Sequence, residues 1–261
     1  MHYVRTGRGA PPLVFVHGFC CSHEDWLLQT NALKNSFEVV ACDLRGHGQT
    51  PGRPHELSIE HFGGDVAALL SVLKLEKSIL IGHSMGCRVV LEAARVAPDS
   101  VAGVVLIDGS QQGSGDPAAA EKNARDFIEA KGFAAFADGL FRGMFLQESD
   151  LSRAVVARAL RVPAENGMAL WPRMARWDAT YVEAVLAGLK VPVLAIQSTY
   201  LNAERKRLPL QAGQSSPWLD LVKQKSSNPR IEVLPGLGHF PQLEAADQVN
   251  RLISGFAAGG R

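Results

Sequence analysis

Gly82-His83-Ser84-Met85-Gly86 stands between an apolar run at residues 78–81 and a stretch, 85–96, whose apolar residues recur with helical spacing. The glycines flanking the serine let the chain turn sharply, because a residue without Cβ tolerates dihedrals and backbone approaches that other residues do not. A serine in such a strand-turn-helix junction projects its hydroxyl from the edge of a sheet, and the pattern G-x-S-x-G takes its meaning from that context. These five residues therefore predict a strand feeding a helix, with a nucleophile, Ser84, at the turn.

The same rhythm repeats outward along the chain. Residues 13–16, 39–41, 79–81, 104–107, 193–196 and 231–234 are short apolar runs rich in β-branched side chains. Most are continuously apolar and not alternating, the pattern of strands buried on both faces of a mostly parallel sheet. Between them, residues 59–73 set Phe62, Val66, Leu69, Leu70 and Leu73 on one helical face, and 85–96 and 245–256 read similarly. The expected fold class is α/β, a mostly parallel sheet with helices on both faces.

One interval breaks the alternation. From about residue 111 to 189 no strand-like run occurs, and helical text covers 117–127, 133–144, 150–162 and 179–189. At a soft prior of about 150 residues per domain, the 261 residues correspond to roughly 1.7 domains. The expected organisation is one sheet core, 1–111 with 191–261, interrupted by a helical cap at 112–190. No internal repeat or low-complexity linker is evident, so the cap is expected not to be a free domain. Phe136, Phe141, Met144, Phe145, Met168, Trp171, Met174 and Trp177 lie in this interval; either they pack cap against core or several line an apolar pocket. Trp26, Met144, Phe145, Trp171, Trp177 and Phe240 are the candidate pocket residues.

Lys and Arg number 27 against 26 Asp and Glu, a net charge of +1, so no broad field recruits a polyanion. Nucleic acid is not expected as a partner; a small-molecule substrate is. The first residues lack a basic-then-apolar signal pattern, and no apolar run approaches the ~18 residues of a membrane span. A soluble, cytoplasmic protein without membrane association is expected. Cys20, Cys21, Cys42 and Cys87 form no C-x-x-C and read as buried free thiols.

A serine hydroxyl becomes a nucleophile when a base takes its proton, so a histidine must arrive from elsewhere in the fold. Gly236-Leu237-Gly238-His239-Phe240 follows the last strand-like run, and its glycines permit a tight loop at the same sheet edge. His239 is the candidate base. The remaining histidines precede or flank turns and lie away from a late strand end.

With His17-Gly18-Phe19, Asp43-Leu44-Arg45-Gly46-His47-Gly48, the Ser84 turn and the Gly238-His239 loop in this order, the chain resembles the α/β-hydrolase fold superfamily over essentially its whole length. The resemblance implies a Ser–acid–His triad in that chain order. It also implies an oxyanion hole from the backbone N–H groups of Phe19 and Met85, where one donor contributes roughly 3–4 kcal/mol to a transition state. In most relatives the acid lies a few residues after the strand that follows the cap. Here that loop reads Gln197-Ser198-Thr199-Tyr200-Leu201-Asn202 and holds no carboxylate, with Glu204 displaced toward a basic run. A minority of relatives take the acid from the end of the preceding strand, where this chain has Asp108. Asp108 is the preferred candidate, with Glu204 and a Ser–His dyad assisted by Asn202 as alternatives. Asp43 reads as a turn cap, His23-Glu24-Asp25 as an exposed loop without metal-ligand spacing, and residues 198–217 as a long loop; Arg205-Lys206-Arg207 reads as a solvated face, with guidance of an anionic substrate past that loop as the alternative.

A serine at the turn disfavours the haloalkane dehalogenases and most epoxide hydrolases of this fold, which use aspartate there. The expected reaction is hydrolysis of a small to medium, largely apolar carboxylic ester, lactone or thioester through an acyl-enzyme, with no cofactor and no metal. The alternatives are a cofactor-free dioxygenase or a C–C bond hydrolase of the same fold, and a hydrolase-fold ligand receptor.

Overall fold

A computed structural model describes residues 1–202, 204 and 206–259. The apolar runs become strands β2 (Leu13–Val16), β3 (Val39–Cys42), β4 (Ser78–His83), β5 (Val101–Ile107), β6 (Val193–Gln197) and β9 (Arg230–Val233), joined by β1 (Tyr3–Thr6) and by β7 (Thr199–Leu201) and β8 (Arg207–Pro209). Seven of them form one sheet in the order β1-β3-β2-β4-β5-β6-β9; β1 is antiparallel to β3 and every other neighbouring pair is parallel.

Successive strand residues point to opposite faces, and both faces are covered. Val14, Val16, Val40, Leu80, Val104 and Leu106 join the apolar cluster that includes Phe62, Val66 and Leu70 of the helix Ile59–Leu73. Leu13, Phe15, Val39, Ile81, Val105 and Ile107 join the other, sealed by Val249, Ile253 and Phe256 of the helix Ala246–Ala257. The class is α/β as expected. β3 docks on one side of β2 and β4 on the other, so strand order reverses between β2 and β4. In such sheets ligands bind beyond the carboxyl ends of the strands at the reversal. Those ends carry His17-Gly18-Phe19 after β2 and Ser84 after β4.

Between β5 and β6 lie the helices Pro117–Lys131, Phe133–Arg142, Asp150–Ala159 and Ala164–Gly188. The last corrects the expectation of a helix at 179–189: it runs 25 residues and passes through Pro172. Proline removes one backbone hydrogen bond and usually ends a helix. Here Leu170, Trp171, Met174 and Trp177, on both sides of it, bury in one cluster and hold the helix continuous. The expected loop at 198–217 is likewise corrected, since β7 and β8 pair there as an antiparallel hairpin. Trp218, just beyond it, is buried, so close to Gly109 that a Cβ on that glycine would stand 2.5 Å from the indole nitrogen. The four cysteines are free and buried. Among the described residues no helix is long and apolar enough to cross a membrane.

One buried ion pair ties the inserted helices to the sheet core. Arg88, in the helix Met85–Val96, donates from Nε and Nη2 to the two Asp178 carboxylate oxygens at 2.8 and 2.7 Å, and from Nη2 to the Ser110 carbonyl at 2.7 Å. The Gln112 N–H donates to the same carboxylate at 2.6 Å. Burial raises the Asp178 pKa, with Arg88 opposing. Arg88→Met is expected to cost about 3–5 kcal/mol in urea unfolding, because it strands a buried carboxylate; Arg88→Met/Asp178→Leu recovers much of that loss. A single-variant loss below about 1 kcal/mol would show that the pair holds nothing together.

Candidate active site

The backbone around Ser84 is packed so tightly that only glycine fits on either side. A Cβ at Gly82 would stand 2.2 Å from the Gly86 carbonyl oxygen, and one at Gly86 would stand 2.3 Å from that of Val16. Ser84 itself sits at φ 53° and ψ −114°, a conformation that surrounding packing must enforce. Its hydroxyl lies 2.8 Å from His239 Nε2, and His239 Nδ1 lies 2.5 Å from Asp108 Oδ2. A carboxylate only accepts, so Nδ1 carries the proton and Nε2 is free to accept from the Ser84 hydroxyl. The histidine loop is fixed at both ends: the His239 N–H donates to the Met144 carbonyl at 2.7 Å, and His83 Nε2–H donates to the His239 carbonyl at 2.8 Å.

Asp108 follows β5, and its carboxylate is saturated. Oδ1 accepts from the N–H groups of Ser198 and Thr199 at 2.7 and 2.8 Å. Oδ2 accepts from the Thr199 hydroxyl, from His239 and, at 3.4 Å, from Arg207 Nη1. The loop after β6, vacant of acids, thus supplies donors for the acid of the neighbouring strand. The partner of His239 is Asp108 and not Glu204 or Asn202; the Asn202 side chain instead accepts from the Lys206 N–H.

Electrostatics favours a neutral imidazole beside an ionised carboxylate. Burial lowers the His239 pKa to about 4, aided by the Arg207 charge and opposed by Asp108. Burial alone would raise the Asp108 pKa, but the hydrogen bond and charge of His239, with Arg207 and Thr199, hold it below the usual carboxylate range.

The turn after β2 closes the other side. His17 Nε2 accepts the Leu44 N–H at 3.0 Å, so its Nδ1–H donates to the Gly18 carbonyl at 2.8 Å. Burial, then the neighbouring His47, lowers the His17 pKa to about 3 and keeps this ring neutral. A Cβ at Gly18 would lie 3.3 Å from Ser84 Cβ, which places the Gly18–Phe19 segment against the serine. Met85 is the first residue of its helix, where N–H groups lack intrahelical acceptors.

Ser84 opens on a cavity of about 470 Å³ walled by Phe19, Phe136, Leu140, Met144, Trp171 and Met174. Of the candidate pocket residues, Met144 and Trp171 line it. Trp26 does not: it packs on Phe15, ring centroids 5.0 Å apart, in the cluster on the opposite face of the sheet. Trp177 turns into the core and donates Nε1–H to Glu92 at 3.2 Å. Phe240 is buried behind His239 and stacks on Phe145, which borders a separate cavity with Arg142 and Glu148. Asp43 caps its turn as expected, accepting from the N–H groups of His23 and Gln49 at 2.7 and 2.8 Å. The expected exposed loop at 23–25 is corrected, because Asp25 is buried and pairs with Arg158 of the inserted helices. His2, His23 and Asp43 do bring ligand atoms within 4.8 Å of one another, but Asp43 is committed to that turn. Of the basic run, Arg205 lies outside the described residues, and Arg207 is not solvated: its side chain is 10% exposed and lines the Ser84 cavity. Thr199 carries no sequence signal because strands of three residues leave no periodicity to detect, and the same short pairing turns Arg207 away from solvent.

The chain matches the model of the alpha/beta hydrolase family over residues 13–252. It is 29% identical, over 96% of its length, to the dihydrolipoyllysine-residue acetyltransferase component of the acetoin cleaving system of Pseudomonas putida, and spans 64% of that protein. It is 27% identical to the bifunctional esterase/perhydrolase of Acinetobacter calcoaceticus, over 95% of this chain and 92% of that one. A thermophilic esterase from Thermogutta terrifontis shares the fold, with a TM-score of 0.81 at 23% identity over 99% of this chain and 93% of that one. With the match covering nearly the whole sheet and the helices inserted in it, the chain belongs to the alpha/beta hydrolase family.

Proposed function

We propose that the protein is a serine hydrolase that cleaves a carboxylic ester, lactone or thioester. The observation that carries this reading is the unbroken hydrogen-bonded series Ser84–His239–Asp108, opening on a walled cavity beside the Gly18–Phe19 segment. His239 Nε2 takes the Ser84 proton as Oγ attacks the carbonyl carbon, and the N–H groups of Phe19 and Met85 receive the developing oxyanion. The imidazolium, stabilised by Asp108, returns the proton to the departing alcohol or thiol. Water then attacks the acyl-enzyme with His239 again as base, releasing the acid and restoring Ser84. The helices between β5 and β6 act as a cap, contributing Phe136, Met144, Trp171 and Met174 to the substrate wall. The likeness to an esterase/perhydrolase agrees with this chemistry.

A p-nitrophenyl ester series from acetate to octanoate tests the reaction class and the pocket size together. Hydrolysis is expected, with kcat/KM reaching its best at a short or medium acyl chain. Because only the neutral imidazole accepts the proton, activity should fall as pH drops through the lowered pKa of His239, giving an acid limb near pH 4. A limb at or above 6.5, the ordinary histidine value, would contradict the lowering by burial while leaving a histidine as the base. The acid at the end of β5 also fits a cofactor-free dioxygenase of this fold. Oxygen uptake with a heteroaromatic substrate, persisting in Ser84→Ala, would select that chemistry.

A further inference from the structure

Arg207 is mostly buried without being clasped. Both of its side-chain hydrogen bonds among the described residues leave from Nη1, at 3.4 Å to Asp108 and 2.7 Å to the Thr199 hydroxyl. Elsewhere in the chain arginines fork onto carboxylates: Arg88 on Asp178 at 2.8 and 2.7 Å, and Arg45 on Asp65 at 2.6 Å through each of two nitrogens. Asp108 has little left to offer, since Ser198, Thr199 and His239 already occupy its oxygens. A guanidinium carries five donors in a planar fork that matches a carboxylate. Most of the Arg207 fork is therefore uncommitted where the residue lines the Ser84 cavity.

A second cation borders the same space. Lys131 Nζ lies 4.5 Å from the ring centroid of Phe127, and both residues line the cavity. Gln111 and Asn202 add amides to the wall, whereas no aspartate or glutamate lines it among the described residues. Two cations and no acid, set among aromatic and methionine side chains, suit a ligand with an apolar body and an anionic end. Resting on the hydrolase reading above, we infer that the Ser84 cavity takes an ester or lactone that also bears a carboxylate, held by Arg207 and Lys131 apart from the scissile carbonyl.

Monomethyl adipate carries a carboxylate where dimethyl adipate carries a second methyl ester, and Ser84→Ala is expected to cleave neither, so calorimetric titration of this variant reads recognition without turnover. The hemi-ester is expected to bind about tenfold or more tighter than the neutral diester. Arg207→Met should bring that ratio close to one, and Lys131→Met should lower it roughly threefold, as suits an exposed charge. The ratio cancels any general loss caused by disturbing Asp108, and Lys131→Met remains informative if Arg207→Met does not fold. Equal binding of the two esters, a ratio preserved in both variants, or inorganic phosphate binding as tightly as the hemi-ester would overturn the inference. In the unsubstituted protein, turnover of the diester with no preference for the hemi-ester overturns the carboxylate site alone. Selective binding without turnover of either ester overturns the hydrolase reading and leaves the carboxylate site standing.

Discussion

Asp108→Asn is expected to lower kcat for a p-nitrophenyl ester by about 10⁴-fold while leaving KM nearly unchanged. The hydrogen bonds dictate why. The N–H groups of Ser198 and Thr199 both need an acceptor at the position of Oδ1. An asparagine therefore keeps its carbonyl oxygen there and turns its NH₂ toward His239, Thr199 and Arg207. His239 Nδ1 must then accept a hydrogen bond, which moves the ring proton to Nε2, where it faces Ser84 and blocks uptake of the serine proton. The NH₂ also meets the Arg207 guanidinium, so the fold loses an electrostatic partner as well. A near-unchanged rate would place the orienting acid elsewhere, with Glu204 the next residue to replace.

Ser84→Ala is expected to have the larger effect, about 10⁶-fold on kcat, reaching the rate left by the oxyanion site and binding alone. Its structural cost should be small. The Ser84 hydroxyl bonds to His239 Nε2 at 2.8 Å, and alanine meets the same backbone demand at φ 53° as serine. A thermal midpoint close to that of the unsubstituted protein is the accompanying check. Because serine and histidine act as a unit, adding His239→Ala to Ser84→Ala should cost little more. Losses that multiply would mean that the two residues serve different steps.

The elbow and the sheet were legible for the same reason: both depend on residue types that few other environments select. Gly82 and Gly86 announce a backbone with no room for Cβ, and continuous runs such as Leu13–Val16 announce burial on two faces. Asp108 was legible through a vacancy, the absence of any acid at Leu201 or Asn202, and the β5 end proved to sit beside the histidine loop. The pocket was less legible because aromatic residues are driven inward whichever face they join. Trp26 and Trp177 bury as completely as a ligand wall would require, yet they serve the far side of the sheet and the helix interface. Arg207 was noticed but misplaced, for the opposite reason. Its place in a basic run suggested solvent, and only the pairing of β7 with β8 turns it toward Asp108.

Acyl transfer through Ser84 is tested most directly by trapping the intermediate. Mixing the protein with p-nitrophenyl butyrate, quenching in acid during turnover and mapping peptides by mass spectrometry should find a butyryl group on Ser84, with no such adduct in Ser84→Ala. Steady turnover without an adduct, retained in Ser84→Ala, would contradict a serine hydrolase outright.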